Sequence, residues 1–131
     1  MAPDRDLWRY SALELAALIA SRQVSSREVV TAHIDRIDAV NGAVNAVTIV
    51  RRDEALREAA AADDAVARGA LLGPFHGVPF SSKENLDLVG VPTTQGLPVL
   101  ADSVPPVDAP VIERMKAAGA IPLARTNMPE M

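Results

Sequence analysis

Apolar residues recur three and four positions apart through the first half of the chain; in the second half they contract into short runs cut by glycine and proline. Ser11 with Glu14 three residues on makes a capping box, and Leu15 and Ile19 follow at helical spacing, predicting a helix that ends near Gln23. Ser25 or Ser26 caps a second helix, on which Val30, His33, Ile34 and Ile37 share a face until Asn41-Gly42 terminates it. Val47-Thr48-Ile49-Val50 is β-branched and reads as a strand. Residues 53–69 are alanine-rich with charges of both signs, which predicts a surface helix packed by a small-residue stripe and stopped by Gly69 and Gly73-Pro74.

Val78 to Ser82 has strand composition, and Leu86 to Val91 is a second apolar stretch, read as a β-segment broken by Gly90 and Pro92. Pro98, Pro105 and Pro106 make 93–107 a long loop. Asp108 is positioned to cap a helix with Pro110 in its first turn, running through Val111, Ile112, Met115 and Lys116 to a stop at Gly119. Ala120 to Ala124 is a further strand, placed near a sheet edge because of Pro122. Strand, helix and strand form a βαβ unit, with parallel strands and a right-handed crossover. The class is therefore α/β: N-terminal helices, then part of a sheet, in residues 1–131 with no internal domain boundary.

Composition narrows the function. A chain of 131 residues can bury a core, and with aromatics at 3% that core must be aliphatic. A net charge of −4 argues against direct nucleic-acid binding, which needs a basic face for phosphate. The absence of cysteine excludes disulfides, thiolate metal sites and a cysteine nucleophile, and two histidines, His33 and His76, are too few for a histidine-built metal site. Met1 to Asp6 is charged with no apolar signal core behind it, and no apolar run suits a membrane span, so the chain reads as a soluble cytoplasmic protein.

The chemistry concentrates around Lys83, at the end of the Val78–Ser82 strand behind a turn containing Gly73, Pro74, Gly77 and Pro79. A free lysine has a pKa near ~10.4, and desolvation can lower it by roughly 3–5 units, which is what would make Lys83 a base. The plain alternative is a lysine snorkelling its charge into water. Strand alternation sends Ser82 to the opposite face and puts Ser81 on the face of Lys83. A Ser81–Lys83 dyad is thus open geometrically, but no helix N-terminus or glycine nest follows to hold an oxyanion, which favours Ser81 as a small neighbour. His76 reads as a turn histidine bonded to backbone, His33 as structural, Lys116 as solvated, and Thr93 to Gly96 as a loop able to line a site. Glu84 and Asp87 are candidate ion-pair partners of Lys83, an interaction that would keep it charged.

Taken together, these segments resemble the amidase-signature hydrolases. The likeness rests on Arg36 to Asn41 with Val44-Asn45-Ala46, on Gly73 to Asn85, on Gly90 to Gly96, on Asp108 to Ala120, and on Thr126-Asn127-Met128-Pro129-Glu130, in that order and spacing. It implies one large α/β domain with a twisted mixed sheet and a triad of serine, a serine preceded by a cis peptide bond, and lysine, the lysine being Lys83. It implies that neutral Lys83 accepts a proton through the bridging serine, that the nucleophilic serine forms an acyl-enzyme, and that water then releases the acid, with no metal or organic cofactor. In the family both serines follow the region present here, and Ser81 and Ser82 do not match them. Glu84 stands where aspartate is usual, Leu97 where serine is common and Arg125 where lysine is common.

The resemblance implies a small-molecule amide substrate, and a homodimer is an assembly open to the full-length protein. Because Met131 follows directly on a strand and falls inside a motif, the chain is expected to be the N-terminal, lysine-bearing part of a longer enzyme, inactive and prone to associate on its own. Two other readings stand beside hydrolysis: a non-catalytic assembly module pairing through an exposed strand Ile121 to Arg125, and the ammonia-producing component of a tRNA-dependent amidotransferase.

Overall fold

The computed structural model describes residues 6–129. The reading of Met1 to Arg5, and Glu130 of the last motif, lie outside the described residues. After a short 3₁₀ turn at Leu7–Arg9 come helix α1 (Ala12–Ala20), helix α2 (Ser26–Val44), strand β1 (Val47–Val50), helix α3 (Arg52–Ala67), strand β2 (Pro79–Lys83), a second 3₁₀ turn (Pro98–Leu100) within the predicted loop, helix α4 (Pro110–Ala117) and strand β3 (Ile121–Thr126). The three strands form one mixed sheet in the order β1-β3-β2, with β1 antiparallel and β2 parallel to β3.

Both capping boxes form: Ser11 pairs with Glu14 and Ser25 with Glu28. Helix α2 runs past Gly42, beyond the predicted stop, because the Asn41 side chain closes its end. Asn41 Oδ1 accepts from the Ala46 and Val47 N–H groups at 3.0 and 2.8 Å, and Asn45 turns left-handed at φ 48°. The small-residue stripe of α3 is Ala55, Ala59 and Ala62, which lets α3 approach closely; Ala55 and Ala59 pack with Val30 and Ile34 of α2 and Ile121, Leu123 and Ala124 of β3. A second cluster joins Leu7, Leu15, Ile19, Val24, Val29 and Val78, and a third joins Leu88, Val91 and Ile112.

Strand β3 is central and buried, not at an edge as Pro122 suggested. The Ile121 N–H donates to Val78 O at 2.8 Å, so the Pro122 nitrogen faces the other way, where pairing with β1 stops at Ala124. Its missing N–H therefore removes no ladder bond. The register with β2 also shifts here, Phe80 facing Pro122 and Ser81 facing Ala124. This corrects the idea of Ile121 to Arg125 as an exposed strand for addition to a partner; the edge strands of this sheet are β1 and β2.

Residues 86–91 are turns rather than a β-segment. They are held from outside: Ala109 N–H donates to Asp87 O, and Val89 N–H to Asp108 Oδ1, both at 2.8 Å. Asp108 consequently does not cap α4, whose N-cap is Ala109. Its other oxygen takes a 2.6 Å bond from Lys116, which is thereby paired rather than solvated.

Candidate active site

The turn before β2 is built around two close approaches. A Cβ at Gly73 would collide with the Ala118 carbonyl oxygen, and one at Gly77, where φ is +75°, would lie 2.7 Å from Ser26 Oγ. Phe75 and Gly77 N–H groups donate to the Ala118 and Gly119 carbonyls at 3.0 and 2.9 Å, and buried Ser26 Oγ donates to Gly77 O at 2.7 Å. The start of β2 is thus fastened to the end of α4 and the start of α2. His76 has its Nε2 2.9 Å from Ala62 O, the backbone partner expected of it, and His33 Nδ1 sits 2.8 Å from Val29 O inside its own helix.

Lys83 ends β2, opposite Thr126 of β3, and is exposed. It lies at the carboxyl ends of two parallel strands, where open α/β sheets place their ligands. No hydrogen bond or ion pair of its ammonium is found among the described residues. Alternation along β2 holds at its end: Ser81 and Lys83 are exposed and Ser82 is buried, and Glu84, in the turn that follows, is buried as well. No hydrogen bond joins Ser81 to Lys83 among the described residues.

Glu84 is not a partner of Lys83, as the sequence allowed. It turns inward and accepts a hydrogen bond from Thr48 Oγ1 of β1 at one oxygen and from Thr94 Oγ1 of the 93–96 loop, at 2.5 Å, at the other. Its own N–H donates to Thr126 O at 3.1 Å. Asp87 likewise makes no ion pair with Lys83 among the described residues.

Arg125 completes this polar cluster and was missed as a site residue; the signal was a cation directly after the apolar run Ile121-Pro122-Leu123-Ala124. It is 0% exposed and donates to Leu86 O at 2.5 Å and Pro92 O at 3.5 Å. Burial pushes its pKa below the ordinary arginine value, against the raising effect of Glu84 and Asp87. Ser82 Oγ, Thr93 Oγ1 and Arg125 Nε are buried without a hydrogen-bond partner. A groove of about 1050 Å³ between the 3₁₀ turn and α2, lined by Trp8, Arg27 and Arg36 among others, does not include Lys83. Among the described residues no three His, Cys, Asp or Glu side chains gather to hold a metal ion.

An exposed lysine at the carboxyl end of a parallel strand, with buried Glu84 and Arg125 beside it, is the arrangement that comparison with known proteins assigns to a family. The Amidase family profile matches residues 28–131, and the chain belongs to that family, the amidase-signature enzymes. It is 46% identical over 98% of its length to an indoleacetamide hydrolase of Bradyrhizobium diazoefficiens, covering 24% of that protein. It is 47% identical over 95% of its length to one component of the glutamyl-tRNA(Gln) amidotransferase of Acidothermus cellulolyticus, covering 25% of it. Peptide amidase from Stenotrophomonas maltophilia superposes with a TM-score of 0.88 at 30% identity, over 97% of this chain and 26% of that one. The chain thus spans about a quarter of the length of the curated relatives it matches. No helix among the described residues is long and apolar enough to cross a membrane.

Proposed function

We propose that this chain is the lysine-bearing part of an enzyme that hydrolyses linear carboxylic amides to the acid and ammonia or an amine, with Lys83 as the base. The observation that carries the reading is the unpartnered Lys83 ammonium on the open face at the end of β2, inside the segment Gly73 to Asn85 that matches the family's lysine motif. A base must be free to face its reacting partner, and an ion pair with Glu84 or Asp87 would hold it charged. Neutral Lys83 draws a proton through a bridging serine as the nucleophilic serine attacks the carbonyl; that proton passes to the leaving nitrogen as the C–N bond breaks and ammonia or the amine departs; water then cleaves the acyl-enzyme to release the acid. Both serines, and the loop that desolvates the lysine and holds the oxyanion, belong to the segment that follows this region in the family.

The test needs a completed enzyme. It is obtained by extending the coding sequence past codon 131 or by joining this chain to the remaining three-quarters of the Bradyrhizobium relative. Indoleacetamide, the compound in that relative's name, is a suitable probe. Lys83→Ala should cut ammonia release by about 10³-fold, within the range for loss of a general base. A near-normal rate would remove Lys83 from the role.

The 47% identity to an amidotransferase component supports a second reading within the same chemistry, in which the ammonia is passed to a partner. Glutamine hydrolysis that depends on added partner proteins would favour it; turnover of simple amides by the completed enzyme alone favours the free-standing hydrolase.

A further inference from the structure

The residue next to Lys83 is more firmly anchored than Lys83 itself. Lys83 has a long side chain and no side-chain partner among the described residues, so its aim depends on its backbone. Glu84 is buried, and each of its carboxylate oxygens accepts from a threonine hydroxyl on a different element: Thr48 from β1, on the far side of central β3, and Thr94 from the loop 93–96. The Glu84 carboxylate therefore spans the whole sheet, tying both edge strands and the loop together at the end of β2. Thr94 Oγ1 is in turn 3.2 Å from the Gly96 nitrogen and accepts its N–H, so the same contact shapes the Gln95-Gly96 corner, where Gln95 has φ 54°. Buried Arg125 supplies the compensating positive charge without a close ion pair.

We propose that Glu84 is a positioning residue for the reaction of Lys83, acting through Thr48 and Thr94, which rests on Lys83 being the base. Adjacent strand residues project to opposite faces. Glu84 follows Lys83 directly and its N–H still bonds to Thr126 of β3, so holding its buried side chain fixes the backbone from which exposed Lys83 departs, and a displacement of about 1 Å can cost on the order of 10²-fold in rate.

The experiment uses the completed enzyme with indoleacetamide. Glu84→Ala should lower kcat by about 30- to 100-fold with KM changed less than about threefold, because the aim of the base is lost and not the substrate's seat. Glu84→Asp should restore kcat to within about tenfold of the parent, since a carboxylate can still accept from the threonines. Thr48→Val and Thr94→Val, which preserve volume and leave the charge in place, should each lower kcat several-fold with KM held; they keep the test open if Glu84→Ala does not fold. Folded Glu84→Ala with the parent kcat, a loss confined to KM, or threonine variants with unchanged kcat would overturn the inference. Lys83→Met separates the two claims: an active Lys83→Met sinks the base, while an inactive Lys83→Met beside a normal Glu84→Ala sinks only the positioning role.

Discussion

Arg125 carries a full charge into a position with 0% exposure, and its surroundings explain how the strand tolerates it. Its guanidinium donates to the carbonyls of Leu86 and Pro92, two loop residues that have no ladder of their own. Removing it would take the donor from those half-buried carbonyls and the compensating charge from Glu84. Each such loss costs about 1–3 kcal/mol. Arg125→Met in the completed enzyme should thus lower stability by about 3 kcal/mol in a denaturant titration, the order found when a buried charge loses its partner. Arg125→Lys should cost less, because the charge stays while the two-carbonyl fork is lost. A Met variant as stable as the parent would show that the cluster contributes nothing to the fold. The place of Lys83 at a strand end was legible in the sequence because a turn of glycines and prolines is followed by a short strand that stops there. The Glu84 contacts were not legible: Thr48 and Thr94 are 36 and 10 positions away in numbering, and no periodicity links them.

Between β2 and α4 the chain bonds to itself from Thr93 to Val104, whereas Val89 is fastened to the start of α4 by Asp108. Burial pushes the Asp108 carboxyl up, but the Lys116 hydrogen bond, the Val89 N–H and the charges of Lys116 and Arg51 together hold it below the ordinary aspartate range. A carboxyl depressed in the folded state adds stability that is fully present above its unfolded pKa of about 3.9 and is lost as pH falls through the lower folded value. The stability difference between the parent and Asp108→Asn should therefore be constant from about pH 5 upward and shrink toward zero as acid titrates the folded carboxyl. Urea midpoints of both proteins across that range measure it, and a difference that persisted or grew in acid would contradict the assignment. The four helices and three strands could be read from spacing and β-branching because those are local signals. The 86–91 stretch and Pro122 misled for one reason: both were judged on composition, whereas Asp108, Arg125 and the limit of β1 pairing at Ala124 decided their structure from outside.

For the whole molecule, the arrangement of the sheet decides what these residues can do unaided. Strand β3 is covered on both sides, β2 has a free edge that carries Ser81 and Lys83, and Leu71, Val99 and Val107 are strongly exposed. Lys83 is exposed there, with no side-chain partner among the described residues. Ser81 is the one serine sharing its face on β2, and no hydrogen bond joins the two among the described residues. A nucleophile needs both that bond and donors aimed at the oxyanion. The 131-residue chain should accordingly release no ammonia from indoleacetamide above the buffer rate, while the completed enzyme turns it over. Adding Ser81→Ala to the completed enzyme should leave its rate within about twofold, as for a surface serine outside the machinery. Turnover by the short chain that Ser81→Ala abolished would show that β2 carries a working pair by itself.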